Sequence, residues 1–138
     1  HSGDYVMCAV ELDGKTEQVG CDLERIGRLR LDLAERFFCR EEYEAVLMRE
    51  TEEERRDCFF RYWVLKESFI KATGRGMALP LNSFSIRLGE PPVLRRQPEE
   101  YPCRYYYREF SVRDISYKMA VCSTDEEIDS EIHMGLRL

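Results

Sequence analysis

The chain has 138 residues, 43% of them hydrophobic and 12% aromatic, with a formal net charge of −6 and a pI of about 5.1. Such a length suits one domain with a sizeable core, and an acidic total without interleaved base-stacking residues argues against nucleic-acid binding. No apolar run approaches the ~20 residues that span a bilayer, and residues 6–10 are too few for the apolar centre of a signal sequence, so no membrane association is expected.

Only His1 to Asp4 precede a strand expected over residues 5–12, and there is no initiator Met, so the start looks cut. Asp13-Gly14 is a favoured hairpin dipeptide and leads to a second strand over 18–24. Asp22 and Glu24 are two apart in that strand, which points both carboxylates to one side and Cys21 and Leu23 to the other. Residues 25–40 then turn basic, with Arg25, Arg28, Arg30, Arg36 and Arg40 against Asp32 and Glu35. This is either a solvated helix face or a local docking patch. Helices are expected over 31–38 and 41–48, joined near Cys39, a poorer N-cap than Ser or Thr.

A long helix is expected from Thr51, where Thr51 and Glu54 fit a capping box and Glu52 and Glu53 add charge to the first turn, to the stop at Gly74 and Gly76. Its length is about 33 Å at 1.5 Å per residue. Trp63, Glu67 and Lys71 share one face, whereas Lys66 sits about 100° around, over the row of Phe59, Tyr62 and Ile70. Glu67 and Lys71 are therefore expected to meet. An isolated Glu-x-x-x-Lys is ordinarily a surface pair worth roughly 0.2–0.5 kcal/mol. Here the aromatic neighbours indicate packed surroundings, where charges need partners. The helix is apolar enough all round that one flank is expected to face a partner.

After the helix, a bend at Pro80-Leu81-Asn82 leads to a strand over 83–88, a loop over 89–102 marked by four prolines, and paired strands over 103–112 and 117–123 with a turn at 113–116. Residues 124–138 form an acidic tail in which His133 is expected to be exposed. The six cysteines form no C-x-x-C and read as reduced residues of a cytoplasmic protein, with disulfides or zinc as the lesser reading. The expected fold is α+β, a mainly antiparallel sheet with the long helix packed across it.

If that helix crosses the Asp22–Glu24 strand, Glu67 becomes a third carboxylate beside the first two. Three such groups repel unless a cation sits among them, and oxygen ligands with open positions suit magnesium and its substrate phosphates. Lys66 and Lys71 are then the phosphate-side cations.

Gly20-x-Asp22-x-Glu24 followed by Trp63-x-x-Lys66-Glu67-Ser68-x-x-Lys71 resembles the two-part signature of the 4′-phosphopantetheinyl transferase superfamily. The opening His1-Ser2-Gly3, Arg36-Phe37-Phe38 with Glu42-Tyr43, and Gly74-x-Gly76 through Ser83-Phe84 resemble the second half of its longer, Sfp-type branch. The two signature elements lie about forty-five residues apart and agree with the segments between them, over residues 1–123.

The resemblance implies half of a pseudo-dimeric fold, with the tail 124–138 outside it. It implies magnesium-dependent transfer of the phosphopantetheine arm of coenzyme A to a serine of an acyl or peptidyl carrier protein. Asp22, Glu24 and Glu67 would hold the metal, and Glu67, or a water that it orients there, would take the serine proton. Lys66 and Lys71 would bind phosphates, and His1 the 3′-phosphate of coenzyme A. The expected partners are the carrier protein, coenzyme A, and a missing first half or another copy of this chain. A trimeric short-type enzyme is disfavoured by the His1-Ser2-Gly3 opening. The competing reading is a non-catalytic half that keeps the scaffold and only binds carrier protein or a partner half.

Overall fold

In the computed structural model, which describes residues 1–12, 14, 17–111 and 116–135, the elements run β1 (Val19–Arg25), α1 (Leu31–Phe37), α2 (Arg40–Leu47), α3 (Glu52–Thr73), β2 (Ser85–Arg87), β3 (Val93–Arg96), β4 (Tyr106–Phe110) and β5 (Tyr117–Ser123). The helix starts where its cap chemistry requires. The Glu54 N–H donates to the Thr51 hydroxyl at 3.1 Å and the Thr51 N–H to the Glu54 carboxylate at 3.3 Å, and Gly74 closes α3 at φ +72°. The Cys39 N–H donates to Glu42 at 2.9 Å, so a carboxylate supports the α2 start that the thiol alone would leave weak.

Among the described residues, β1, β5 and β4 form an antiparallel sheet in that order, with β2 and β3 as a separate antiparallel pair. Buried along almost its whole length, β5 is the central strand, and its pairing sets Asp22 against Ala120 and Glu24 against Lys118. On one face α3 crosses the sheet, and the core between them includes Leu65, Phe69, Phe84, Ala120 and Cys122. Arg61 fixes the crossing, donating to both Glu109 oxygens at 2.7 Å and to the Gly89 carbonyl at 2.8 Å. Leu23, Tyr117 and Met119 make a smaller cluster on the other face, covered by Tyr5, Met7 and Ile132.

Three expectations are corrected. Residues 5–12 join no ladder, apart from a single bridge between Ser2 and Tyr5, and the partner of β1 is β5. The alternation is real, since Tyr5, Met7 and Ala9 are less exposed than Val6, Cys8 and Val10, but it arises from lying over the outer face of the sheet. Asp13, of the expected turn, and residues 112–115, at the end of the expected β4 strand and in its turn, lie outside the described residues. Second, β3 falls in the stretch read as a loop, because Pro91, Pro92 and Pro98 flank its four residues without interrupting them. Third, no exposed large apolar side chain of the described residues lies on α3. Its aromatic flank is covered within the chain, where Trp63 stacks on Phe59 with centroids 6.0 Å apart and Phe59 on Phe38 at 5.3 Å. No described helix is long and apolar enough to cross a membrane.

Candidate active site

The site begins with a residue that has no side chain. A Cβ on Gly20 would stand 2.3 Å from both the Ser68 carbonyl oxygen and the Ala72 nitrogen, so only glycine lets β1 touch the backbone of α3. Period two then turns Asp22 and Glu24 towards the last two turns of α3, which carry Glu67 and Lys71.

There the expected pairing is exchanged for another. Lys71 Nζ donates to Asp22 Oδ1 at 2.6 Å, across 49 residues, in place of the expected Glu67–Lys71 contact. The Asp22 side chain is only 5% exposed and that of Lys71 49%. Burial opposes the Lys71 charge, yet the bond to Asp22 and its field hold the ammonium above its ordinary pKa. Asp22 is pushed up because burial outweighs the help it receives from Lys71.

Glu67 and Glu24 feel the same surroundings. Both carboxyls are raised, first by burial and then by the neighbouring Asp22 charge, and Glu24 adds to the rise at Glu67. The Ser2 hydroxyl partly offsets the rise at Glu24 and accepts from the Arg25 N–H at 2.9 Å. That contact fixes the opening residues at this end of β1, with His1 exposed one position before Ser2.

Three mutually repelling carboxylates form a cation-seeking set, and Asp22 Oδ2 is buried with no hydrogen-bond partner. All the donors are oxygen, as a hard divalent cation such as magnesium requires, and the chemistry of the set fits that ion. Among the described residues, however, no group of three or more His, Cys, Asp or Glu side chains is spaced to hold a metal ion. One Asp22 oxygen is bonded to an ammonium instead.

Lys66 is not at this edge. Its Nζ donates to Glu42 Oε1 at 2.7 Å, to Oε2 at 3.0 Å and to the Phe84 carbonyl at 2.6 Å, which uses all three of its donors. Both side chains of this pair are 0% exposed. The expectation of a phosphate contact from Lys66 is thus corrected: its row on α3 faces the core, where a charge needs an internal partner. Glu42 also accepts from the Ile86 N–H at 2.9 Å, joining α2, α3 and β2. The sequence carried one signal for it, an acid three residues after an N-cap, but that position does not name Lys66 as the partner.

All six cysteines are free thiols. Two grooves, of 640 and 530 Å³, are bordered by Tyr5, Phe110, Ile132 and Met134 and lie on the other face of the sheet from the carboxylates.

Residues 18–122 match the family model described as the 4′-phosphopantetheinyl transferase superfamily. The chain is 38% identical over 136 residues to 4′-phosphopantetheinyl transferase Sfp of Bacillus subtilis, covering 97% of this chain and 57% of that protein. It is 41% identical over 125 residues to 4′-phosphopantetheinyl transferase psf-1 of Bacillus pumilus, covering 89% and 50%. The chain thus spans about half the length of these curated relatives. The holo-[acyl-carrier-protein] synthase (AcpS) of Thermotoga maritima superposes with a TM-score of 0.57 at 21% identity, over 77% of this chain and 61% of that one. An ACPS-CoA complex from Chronobacterium ammoniagenes gives 0.57 at 19% identity, over 79% and 96%. These two likenesses speak for the fold.

Proposed function

Because the chain belongs to the 4′-phosphopantetheinyl transferase superfamily, we propose that it is the half of such an enzyme that carries the metal and phosphate groups. The protein would move the phosphopantetheine arm of coenzyme A onto a serine of an acyl or peptidyl carrier protein, converting the apo form to the holo form. The observation that carries this reading is the meeting of the two signature elements through the 2.6 Å contact of Lys71 with Asp22.

In the reaction the serine oxygen bonds to the pantetheine-side phosphorus, the bridging P–O bond breaks, and the electron pair leaves with adenosine 3′,5′-bisphosphate. Asp22, Glu24 and Glu67 would hold magnesium. When bound, that ion neutralises charge on the pyrophosphate as the bridge opens. Glu67, whose carboxyl is raised from its ordinary value by burial first and by Asp22 second, would take the serine proton, directly or through a water it orients. Lys71 would bond phosphate oxygens, and the exposed His1 would reach the 3′-phosphate. We place the half-domain at residues 1–123 and assign 124–138 as an accessory tail, and the free thiols suit a cytoplasmic protein.

A first half, or a second copy of this chain, would complete the nucleotide site. The exposed Val6, Val10 and Leu12, at 83%, 67% and 87% exposure, offer that partner an apolar, extended seat. The second reading is a half that only binds carrier protein or a partner half. Incubation of the protein containing both halves with magnesium, coenzyme A and an apo carrier domain separates the two. A mass gain of one phosphopantetheine group on the carrier serine supports catalysis. Carrier binding without that gain supports the second reading.

A further inference from the structure

Asp22 and Lys71 differ in their freedom to move. Asp22 is short, lies on a paired strand and is 5% exposed, whereas Lys71 is long, sits in the last turn of α3 and is 49% exposed. Lys71 can swing out without moving any backbone, but Asp22 cannot. The ammonium is bonded to one Asp22 oxygen while the other is buried without a partner. The remaining carboxylates, Glu24 and Glu67, lie within the field of the same Asp22.

We propose that Lys71 is the resident counter-ion of the carboxylate site, occupying Asp22 until a divalent cation displaces it and thereby releasing its ammonium to a substrate phosphate. This inference rests on the magnesium reading above and adds a regulation to it. On Asp22 Oδ1 the ammonium and the metal compete. The phosphate group removes the competitor, so phosphate and metal bind cooperatively although each is recognised by different side chains. A lysine that only bonds phosphate would leave the affinity for metal alone unchanged. A lysine that is only a structural strut would, on removal, loosen the site and weaken metal binding.

The test is Mn²⁺ binding to the protein containing both halves by electron paramagnetic resonance, with and without coenzyme A, in Lys71→Met, Lys71→Gln, Lys71→Arg and Asp22→Asn, each checked for native circular dichroism. Both neutral variants are expected to bind Mn²⁺ alone about fivefold or more tightly than the unmodified chain and to lose most of the enhancement by coenzyme A. Lys71→Arg, which keeps the charge, is expected to stay near the unmodified affinity. Equal or weaker Mn²⁺ binding in both neutral variants, with binding still abolished in Asp22→Asn, overturns the counter-ion role and leaves the metal site standing. Binding that is absent throughout, or indifferent to Asp22→Asn, overturns the metal site and the counter-ion role with it.

Discussion

Lys66 and Glu42 are joined by two hydrogen bonds, of 2.7 and 3.0 Å, with neither side chain exposed. A pair of this kind is more costly to break than it is valuable to make, since removing one partner strands the other charge in the core. Glu42→Gln is therefore expected to lose about 3–5 kcal/mol in a urea titration. Glu42→Gln combined with Lys66→Met should recover part of that loss. A Glu42→Gln protein as stable as the unmodified chain would show that the buried pair is misassigned.

Gly20 sets the distance between β1 and α3. In Gly20→Ala the new Cβ meets two backbone atoms at 2.3 Å, the Ser68 oxygen and the Ala72 nitrogen. Neither can yield as a flexible side chain does, so the strand must retreat from the helix. The expected cost is about 1–3 kcal/mol, with a loss of divalent-cation binding in the fraction that remains folded. Thermal melts and a metal titration on the same sample read both effects.

The carboxylate cluster opposes folding when no cation is present. Glu67 has its pKa raised in the folded state, by burial first and by Asp22 second, so the folded chain holds that proton more tightly than the unfolded one. Its contribution to stability is then lost as pH rises from its ordinary value of 4.5 through the raised one. In chelator, Glu67→Gln should melt at a higher temperature than the unmodified chain at pH 7 and at nearly the same temperature below pH 4.5. In the protein containing both halves, the same variant should lose at least about 10²-fold in turnover. Near-normal turnover would remove Glu67 from the chemistry.

In the proposed function the carrier protein is, as the family resemblance implies, acidic around its modified serine, so this chain's net charge of −6 would not attract it and a local patch would have to. Arg28 and Arg36 are exposed, and Arg36 lies over the Phe37 ring at 5.1 Å, while Arg30 is engaged with Asp32 at 2.9 Å. Replacing Arg28 and Arg36 with Glu in the protein containing both halves should raise the KM for carrier protein and leave that for coenzyme A nearly unchanged, with added salt acting in the same selective way. A parallel shift of both constants would mean that the arginines serve the nucleotide or the fold.

What the sequence displays, and what it hides, follows from the range of each interaction. The Thr51–Glu54 box, the Gly74 stop and the apolar run of β5 are local, and each appears where it is expected. That Asp22 and Glu24 share one side of their strand was legible too, because period two is written in one strand, whereas the turning of that side towards α3 rests on the close approach at Gly20, a contact between distant segments. The partners of the lysines were not legible. Lys66 finds Glu42 across 24 residues and Lys71 finds Asp22 across 49, and no helical spacing encodes either pairing. Residues 5–12 mislead for a related reason: an extended segment lying over an apolar face alternates just as a paired strand does.

The direct test of the Asp22–Glu24–Glu67 site is titration calorimetry of Mg²⁺ into this chain, alone and with coenzyme A, for the unmodified protein and for Asp22→Ala. Binding should be weak alone and clearly tighter with coenzyme A, because substrate phosphate oxygens add to the shell of the ion, and Asp22→Ala should abolish both. Equal Mg²⁺ affinity with and without coenzyme A, or an affinity unchanged in Asp22→Ala, would contradict the assignment.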